Sequence, residues 1–289
     1  MSRRSGLPWA PTSLPTLRRQ WCDVLAEGIE RLRGQTGDEE LAAHAEADVA
    51  DLDKSQLYWV SRDMTDLATS AAESLPEWSP AAAIPEPFGL LAWAKPAGVF
   101  DWPVPGAAER IPMPVDALCW GIRDGGVAVS CAFRTDRIAD KLNPGLARLP
   151  PLSHPVGVWD LEEPVVHRLE GGKVAPLAVL GSAWLLMGQR RIVETRTIGG
   201  AGGGETAGAL RDSPAVSLIE LRRPDRDGRD GGGEGGQRRR SDKRWWVSGH
   251  WRDARVGPKR ALRRPVWISP YVKGDSEAEL SERVTVWRR

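Results

Sequence analysis

The sequence predicts an α+β protein in which N-terminal helices pack with a largely antiparallel sheet that includes the C-terminal strands. Three observations predict it: helical periodicity at the start of the chain, prolines that divide the sequence after residue 80 into short apolar runs, and alternating apolar and polar residues near the end. A length of 289 residues with 41% hydrophobic and 27% charged residues suits a globular protein with a sizeable core.

The N-terminal part is predicted to be a loose arm at residues 1–13 followed by a helical region at 14–78. The apolar residues of the first helix recur at helical spacing: Leu17, Trp21, Val24, Leu25, Ile29 and Leu32. Gly34 ends this helix, and a second, alanine-rich helix is predicted over residues 38–51. A third helix is predicted to begin after Ser55 as its N-cap.

Residues 86–289 are predicted to form one α+β body, and the whole chain one domain. Residues 88–93 predict a buried strand, and residues 115–134 predict a hairpin around Asp124 and Gly125. A two-residue type I′ turn there pairs Ile122 with Val127 and collects the large apolar side chains on one face. A three-residue loop would split that face, so the two-residue turn is preferred.

The rest of the body is predicted to contain a helix at 176–194, with Trp184 in the core, and a strand at 215–221. Glycine-rich segments at about 199–213 and 224–243 predict flexible loops. The second of them is predicted to be the long hairpin loop that connects the strand at 215–221 to a strand at Trp245.

Three cysteines without a C-x-x-C pair predict reduced thiols and no disulfide framework. The N-terminus lacks the apolar segment of a secretory signal, and the longest apolar run is shorter than the roughly 20 residues that cross a bilayer. These observations predict a cytoplasmic location and no membrane partner.

No catalytic residue, metal site or cofactor is predicted. The four histidines, His44, His154, His167 and His250, lack the spacing of a metal-binding motif. The glycine-rich segment at 199–204 does not fit the G-x-G-x-x-G spacing of a phosphate-binding loop. His250 is the residue to test for an unrecognised hydrolase.

The C-terminal segment has an excess of positive charge and the rest of the chain an excess of negative charge, although the formal net charge is only +1. From Arg238 onward there are 15 Lys and Arg residues against 6 Asp and Glu residues, whereas the preceding part has 25 against 33. A basic surface of this kind indicates an acidic partner, of which nucleic acid is the first example. It could equally dock on the acidic remainder of the chain.

Read as strands, residues 245–287 sort by alternation into two faces. One is predicted to pack on the core and carries Trp245, Val247, Gly249, Trp251, Val266, Ile268, Val284 and Val286. The other is predicted to be exposed and carries Trp246, Ser248, His250, Arg252, Trp267, Ser269, Tyr271, Lys273, Thr285 and Trp287. Aromatic rings next to cations are typical of sheets on which single-stranded RNA stacks.

The predicted nucleic-acid or partner-binding residues combine this second face with the basic connection after it. They are Trp246, His250, Arg252, Arg255, Lys259, Arg260, Arg263, Arg264, Trp267, Tyr271 and Lys273. The alternative interpretation is that the tryptophans are covered and only their basic neighbours are exposed. The protein would then be an interaction or structural protein with buried tryptophans.

The stretches WWVSGHWR, RPVWISPYVKG and the terminal VWRR resemble the C-terminal signature of proteins grouped with a type V-A anti-CRISPR inhibitor, which are found largely on mobile elements and in phage-rich genomes. The resemblance covers about the last 45 residues, with a weaker part at SAWLLMGQ. It implies recognition of a nascent chain and lowering of the messenger RNA of a CRISPR effector nuclease. The combined hypothesis is a non-enzymatic protein that binds RNA or a translating complex.

Overall fold

The computed structural model describes residues 9–36, 38–103, 110–138, 151–166, 174–199, 214–222, 243–273 and 279–280. The chain divides into two compact units, Met1–Leu221 and Arg222–Arg289, and each is described by itself.

The elements of the first unit begin with helices near the N-terminus and continue with alternating strands and helices. Its described helices are α1 (Leu14–Arg31), α2 (Glu39–Lys54), α3 (Arg62–Ala72), α4 (Pro80–Ala83), α5 (Thr135–Ile138) and α6 (Pro176–Met187). Its described strands are β1 (Gln56–Val60), β2 (Phe88–Trp93), β3 (Val99–Pro103), β4 (Arg110–Pro114), β5 (Ala117–Arg123), β6 (Gly126–Phe133), β7 (Leu152–Asp160), β8 (Val193–Ile198) and β9 (Val216–Leu221). The second unit contains β10 (Lys243–Val247), β11 (His250–Val256), β12 (Leu262–Ile268), β13 (Tyr271–Lys273) and β14 (Glu279–Leu280).

The first unit is built on a seven-stranded sheet with the order β7-β6-β5-β2-β1-β9-β8. The pairs that β1 makes with β2 and β9 are parallel, and the other pairs are antiparallel. The α+β class is therefore confirmed. The C-terminal strands also pair in sheets, but these are separate sheets, β13-β10-β14 and β11-β12, and not part of the large one.

One face of the large sheet is covered by α1 and α2. Leu57 and Trp59 of β1 belong to a buried cluster that also contains Leu17 and Trp21 of α1 and Leu52 of α2. The periodicity that predicted α1 thus marks the side of the helix that packs on the sheet. Asp38 caps α2, because its Oδ1 accepts a hydrogen bond from the Leu41 N–H at 3.0 Å.

A chain of aromatic contacts connects α6 to the opposite face of the sheet. The ring of Tyr58 stacks on that of Trp120 with centroids 5.8 Å apart. Trp120 in turn meets Trp184 of α6 edge to face at 5.0 Å, and Trp184 meets Trp78 at 5.9 Å. The prediction that Trp184 belongs to the core is confirmed.

The predicted hairpin at Asp124 and Gly125 is confirmed. Ile122 pairs with Val127 and Trp120 with Val129, as the two-residue turn requires. Asp124 and Gly125 both have positive φ angles, 49° and 80°, which is the conformation of a type I′ turn.

The predicted third helix after Ser55 is wrong in its first turn. Gln56–Val60 forms β1, a strand with a parallel neighbour on each side, and its last four residues are buried. Such a strand has a continuous apolar sequence, here LYWV, rather than an alternating one. The helix α3 begins six residues later, with Ser61 as the N-cap.

Three further predictions are corrected. The helix at 176–194 ends at Met187, because the chain from Val193 onward is β8. The strand β9 lies between β1 and β8 and so forms no hairpin with β10. In the arm, Trp9 is held against the sheet, since its Nε1 donates to the Trp93 carbonyl at 2.9 Å. Residues 1–8, 200–213 and 223–242, which hold most of the predicted arm and loops, lie outside the described residues.

A buried ion-pair network attaches α2 to β5. The Arg123 guanidinium donates through Nε to Asp51 Oδ2 and through Nη2 to Asp48 Oδ1, each at 2.7 Å. The Ser130 hydroxyl donates to the other Asp48 oxygen at 2.6 Å. Burial raises the pKa of Asp51 even though Arg123 favours its ionised form. Gly121 lies beneath this network.

Replacing Gly121 with alanine is expected to destabilise the first unit by about 1–3 kcal/mol, the usual cost of overpacking. A Cβ atom at this position would collide with Asp51 Oδ2 and would have to displace the carboxylate from Arg123. Chemical denaturation measures the change. Gly28→Ala is the matched control, because nothing lies within 4 Å of its Cβ position on α1. Equal stability of the two variants would contradict the role of Gly121.

Candidate nucleic-acid interface

The strands β11 and β12 form an antiparallel hairpin that carries, together with its turn, six basic side chains. His250 pairs with Ile268 at the open end, and Val256 pairs with Leu262 next to the turn. We call the residues of β11, β12 and their connection the basic hairpin. Its tryptophans lie near the open end and most of its cations lie toward the turn.

Trp267 is buried, with 6% of its surface exposed. It pairs with Trp251 across the hairpin, and the two rings meet edge to face at 5.4 Å. A Cβ atom on Gly249 would lie 2.5 Å from the Trp267 ring, so glycine is what allows the ring to pack there. The prediction that Trp267 belongs to the exposed face is wrong, because this indole is part of the small core of the unit.

The register also changes which residues share a face with Trp267. Because Trp251 lies directly opposite it, Trp267 shares a face with Trp251 rather than with His250 and Arg252. In the pair of β10 and β13, Trp246 lies opposite Val272, whereas Tyr271 and Lys273 lie opposite Val247 and Trp245. Trp246 is therefore not paired with either predicted site residue of β13. Trp287 lies outside the described residues.

The cations of the basic hairpin reach solvent. Arg252, Arg255, Lys259, Arg260 and Arg263 are exposed, and Arg264 is half-buried. Arg263 forms an ion pair with Asp253 at 2.9 Å. Within the described ranges, no carboxylate pairs with the remaining five basic residues, so their charges are available to an external anion.

Two features of the basic hairpin are unfavourable for the isolated protein. Arg255 lies directly opposite Arg263, and like charges at opposed positions of a strand pair destabilise it. In the turn, Lys259 and Arg260 have left-handed φ angles of 53° and 56°, which cost side-chain-bearing residues roughly 1–2 kcal/mol each. Backbone strain of this kind is concentrated at functional sites.

Three other predicted site residues, His250, Tyr271 and Lys273, are also on the surface, and the side chain of Trp246 lies outside the described part of the chain. His250 is exposed, and its Nδ1–H donates to the Ser248 carbonyl at 3.0 Å. Tyr271 is 42% exposed, and Lys273 is exposed with its Nζ 5.8 Å from the centroid of the Trp245 ring. Trp245, which the sequence assigns to the core-facing side, is 38% exposed.

The described residues show no cluster of three or more His, Cys, Asp or Glu side chains that could hold a metal ion. In the same part of the chain, no helix has the length and apolar character needed to cross a membrane. The three cysteines are free thiols, and Cys119 and Cys131 are buried.

The first unit contains a buried carboxyl group that sequence reasoning missed. Asp116 is fully buried, and its Oδ2 accepts a hydrogen bond from the Arg134 N–H at 2.8 Å. Arg137 Nε lies 3.1 Å from Oδ1, in an ion pair that lacks the alignment of a hydrogen bond. Burial raises the pKa of Asp116 to about 6 despite these cations. In the sequence, the position of Asp116 between the apolar residues Val115 and Ala117 is the feature that indicates its burial.

No family model and no curated protein matches this chain. The geometry described above is therefore what supports a function, and the resemblance of the C-terminal stretches to anti-CRISPR proteins stays a prediction.

Replacing Trp267 with alanine is expected to destabilise the second unit by about 3–5 kcal/mol, the usual cost of truncating a buried tryptophan. Tyr271→Ala is the control, because its ring is exposed and supports little packing. Thermal unfolding followed by near-ultraviolet circular dichroism compares the two variants. If they melt alike, Trp267 is not the core residue that the structure describes.

The stability of the first unit is expected to fall as the pH rises from about 4 to above 6 through the ionisation of Asp116. Because its pKa is higher in the folded chain (about 6) than in an unfolded one (about 3.9), the folded state holds the proton more tightly at low pH. This contribution is full below pH 4 and lost above pH 6, and it amounts to about 3 kcal/mol. Asp116→Asn should flatten this part of the curve in urea denaturation.

Asp124→Asn is the matched control for this experiment, since it removes an exposed carboxylate from the β5–β6 turn and asparagine accepts a positive φ. A pH profile of Asp116→Asn that is parallel to that of the unmodified protein would contradict the assignment.

Proposed function

We propose that this chain is a non-enzymatic RNA-binding protein that holds the phosphate backbone with the basic hairpin. The observation that carries the proposal is the set of cations without a carboxylate partner among the described residues: Arg252, Arg255, Lys259, Arg260 and Arg264. Phosphates are the anions that guanidinium groups bind best, because each guanidinium offers several donors to two oxygens.

The opposed pair of Arg255 and Arg263 supports the same proposal. The ion pair of Arg263 with Asp253 offsets part of this repulsion in the free protein, and a phosphate between the two side chains would relieve the rest. The left-handed Lys259 and Arg260 extend the same charge around the turn. The strain of the hairpin and its charge thus have one explanation, the binding of a polyanion.

Affinity for RNA is expected to fall steeply with salt, because each phosphate contact releases counterions. For single strands the slope of log K against log salt is about −0.7 for each contact. Fluorescence anisotropy with a labelled oligonucleotide at several salt concentrations measures the slope. Binding that does not weaken as salt rises would remove phosphate contacts from the proposal.

Exchange of Arg252, Arg255, Lys259, Arg260 and Arg264 for glutamine is expected to weaken binding strongly. The salt slope should also become shallower, by about 0.7 for each phosphate that is no longer neutralised. The matched control removes the same charge from the first unit. It exchanges five exposed arginines for glutamine: Arg19, Arg62, Arg110, Arg190 and Arg191. Equal effects of the two quintuple variants would show that net charge alone is responsible.

The same measurements test the two alternative functions. A protein partner is favoured by the packing of Trp251 on the buried Trp267, and it would leave RNA unbound at low salt. A hydrolase that uses His250 would shorten the labelled RNA, and His250→Ala would abolish the cleavage. RNA that is bound and stays intact in the complex supports an RNA-binding protein rather than a hydrolase.

We further propose that the RNA is a messenger in translation, which is the theme that the anti-CRISPR resemblance implies. This part of the proposal is supported by the resemblance of the C-terminal stretches alone. Crosslinking the protein to RNA in its host and sequencing the recovered RNA tests it. Recovery of transfer or ribosomal RNA without messenger would contradict it.

A further inference from the structure

We infer that the β10–β13 strand pair is a base-stacking site in which Trp245 and Tyr271 each take an unpaired nucleobase. This inference rests on the proposed function and specifies its ligand as single-stranded RNA. It replaces Trp267 and Trp246, the rings that the sequence assigned to stacking, with Trp245.

The register of the two strands brings the stacking residues to one face. Trp245 pairs with Lys273, and Val247 pairs with Tyr271. Residues at paired positions, and residues two apart along a strand, share a face of the sheet. Trp245, Tyr271 and Lys273 therefore lie together, with the two rings as diagonal neighbours at the typical spacing of about 7–8 Å. This spacing leaves room for one base on each ring of an extended strand.

Both rings are open to solvent. Trp245 is 38% and Tyr271 is 42% exposed, and every other Trp, Tyr or Phe whose side chain the structure describes is buried or half-buried. Trp251, for example, is half-buried and Trp267 is buried. Exposure of large flat side chains on one small face marks a binding surface rather than a core.

The charge of this face fits the same ligand. Lys273 holds its ammonium group over the Trp245 ring, 5.8 Å from the centroid, and a base that stacks on this face displaces the ammonium toward the phosphate. A base that stacks on this indole carries its phosphate within the reach of a cation, as in proteins that bind single strands without sequence preference. Base pairing would hide the faces of the bases, so this site favours a single strand over a duplex.

The test compares three ligands on the full-length protein: oligouridylate, a ribose-phosphate strand of equal length that lacks bases, and an RNA duplex. For Trp245→Ala we expect the affinity for oligouridylate to fall about 5-fold to 100-fold, in line with the loss of one stacked base. The affinity for the base-free strand should stay unchanged. Tyr271→Ala should behave in the same way.

Two controls separate stacking from folding. Trp245→Phe keeps a flat ring and should restore most of the affinity. Val272→Ala truncates a 43% exposed residue that pairs with Trp246 and should leave all three affinities unchanged.

The outcomes distinguish this site from the basic hairpin. If Trp245→Ala binds oligouridylate as the unmodified protein does, or loses as much affinity for the base-free strand, the stacking site is overturned while the hairpin stands. If the unmodified protein prefers the duplex, the single-strand assignment is overturned. Another outcome is that Trp245→Ala lowers the affinity for oligouridylate while the quintuple glutamine variant of the basic hairpin keeps the affinity of the unmodified protein. In that case the stacking site stands and the hairpin proposal fails.

Discussion

The ion pair of Arg123 with Asp48 and Asp51 is the interaction on which the arrangement of the first unit depends. It joins α2 to β5 through side chains that are largely removed from water. Loss of one member of such a pair costs about 3–5 kcal/mol, because the remaining charge is left without a partner in a poorly solvated place. The network is complete only because Ser130 and His44 supply further polar contacts to it and because Gly121 leaves space below. The helical layer of α1 and α2 is thereby fixed in one position on the sheet.

The second unit is stabilised by other means. Its described part has few buried side chains, and the contact of Trp251 with Trp267 takes the place of a large core. Small units with so little buried area are marginally stable, so each buried ring matters. The opposed Arg255 and Arg263 of the hairpin add repulsion, which the ion pair of Arg263 with Asp253 offsets in part.

Local features of the sequence predicted local structure well. The Asp124-Gly125 turn and the strand at 88–93 could be assigned, because positive φ angles and short apolar runs depend on neighbouring residues. The strand β1 could not, because a fully buried parallel strand and a helix segment have the same apolar sequence, and distant β9 decides between them. In the candidate site, the basic residues were identified by composition. The faces were not, because the faces that residues of two strands share depend on their pairing register, which alternation within one strand does not reveal.

The position of β9 has a consequence for synthesis on the ribosome. The strand β1 finds its neighbour β2 soon after translation, but its other edge stays open until residues 216–221 have left the exit tunnel. Pairings so distant in sequence form late in folding. During this interval the nascent chain presents an apolar, unpaired strand edge of the kind that chaperones shield. The sheet of the first unit is therefore completed only late in synthesis, after β9 has emerged.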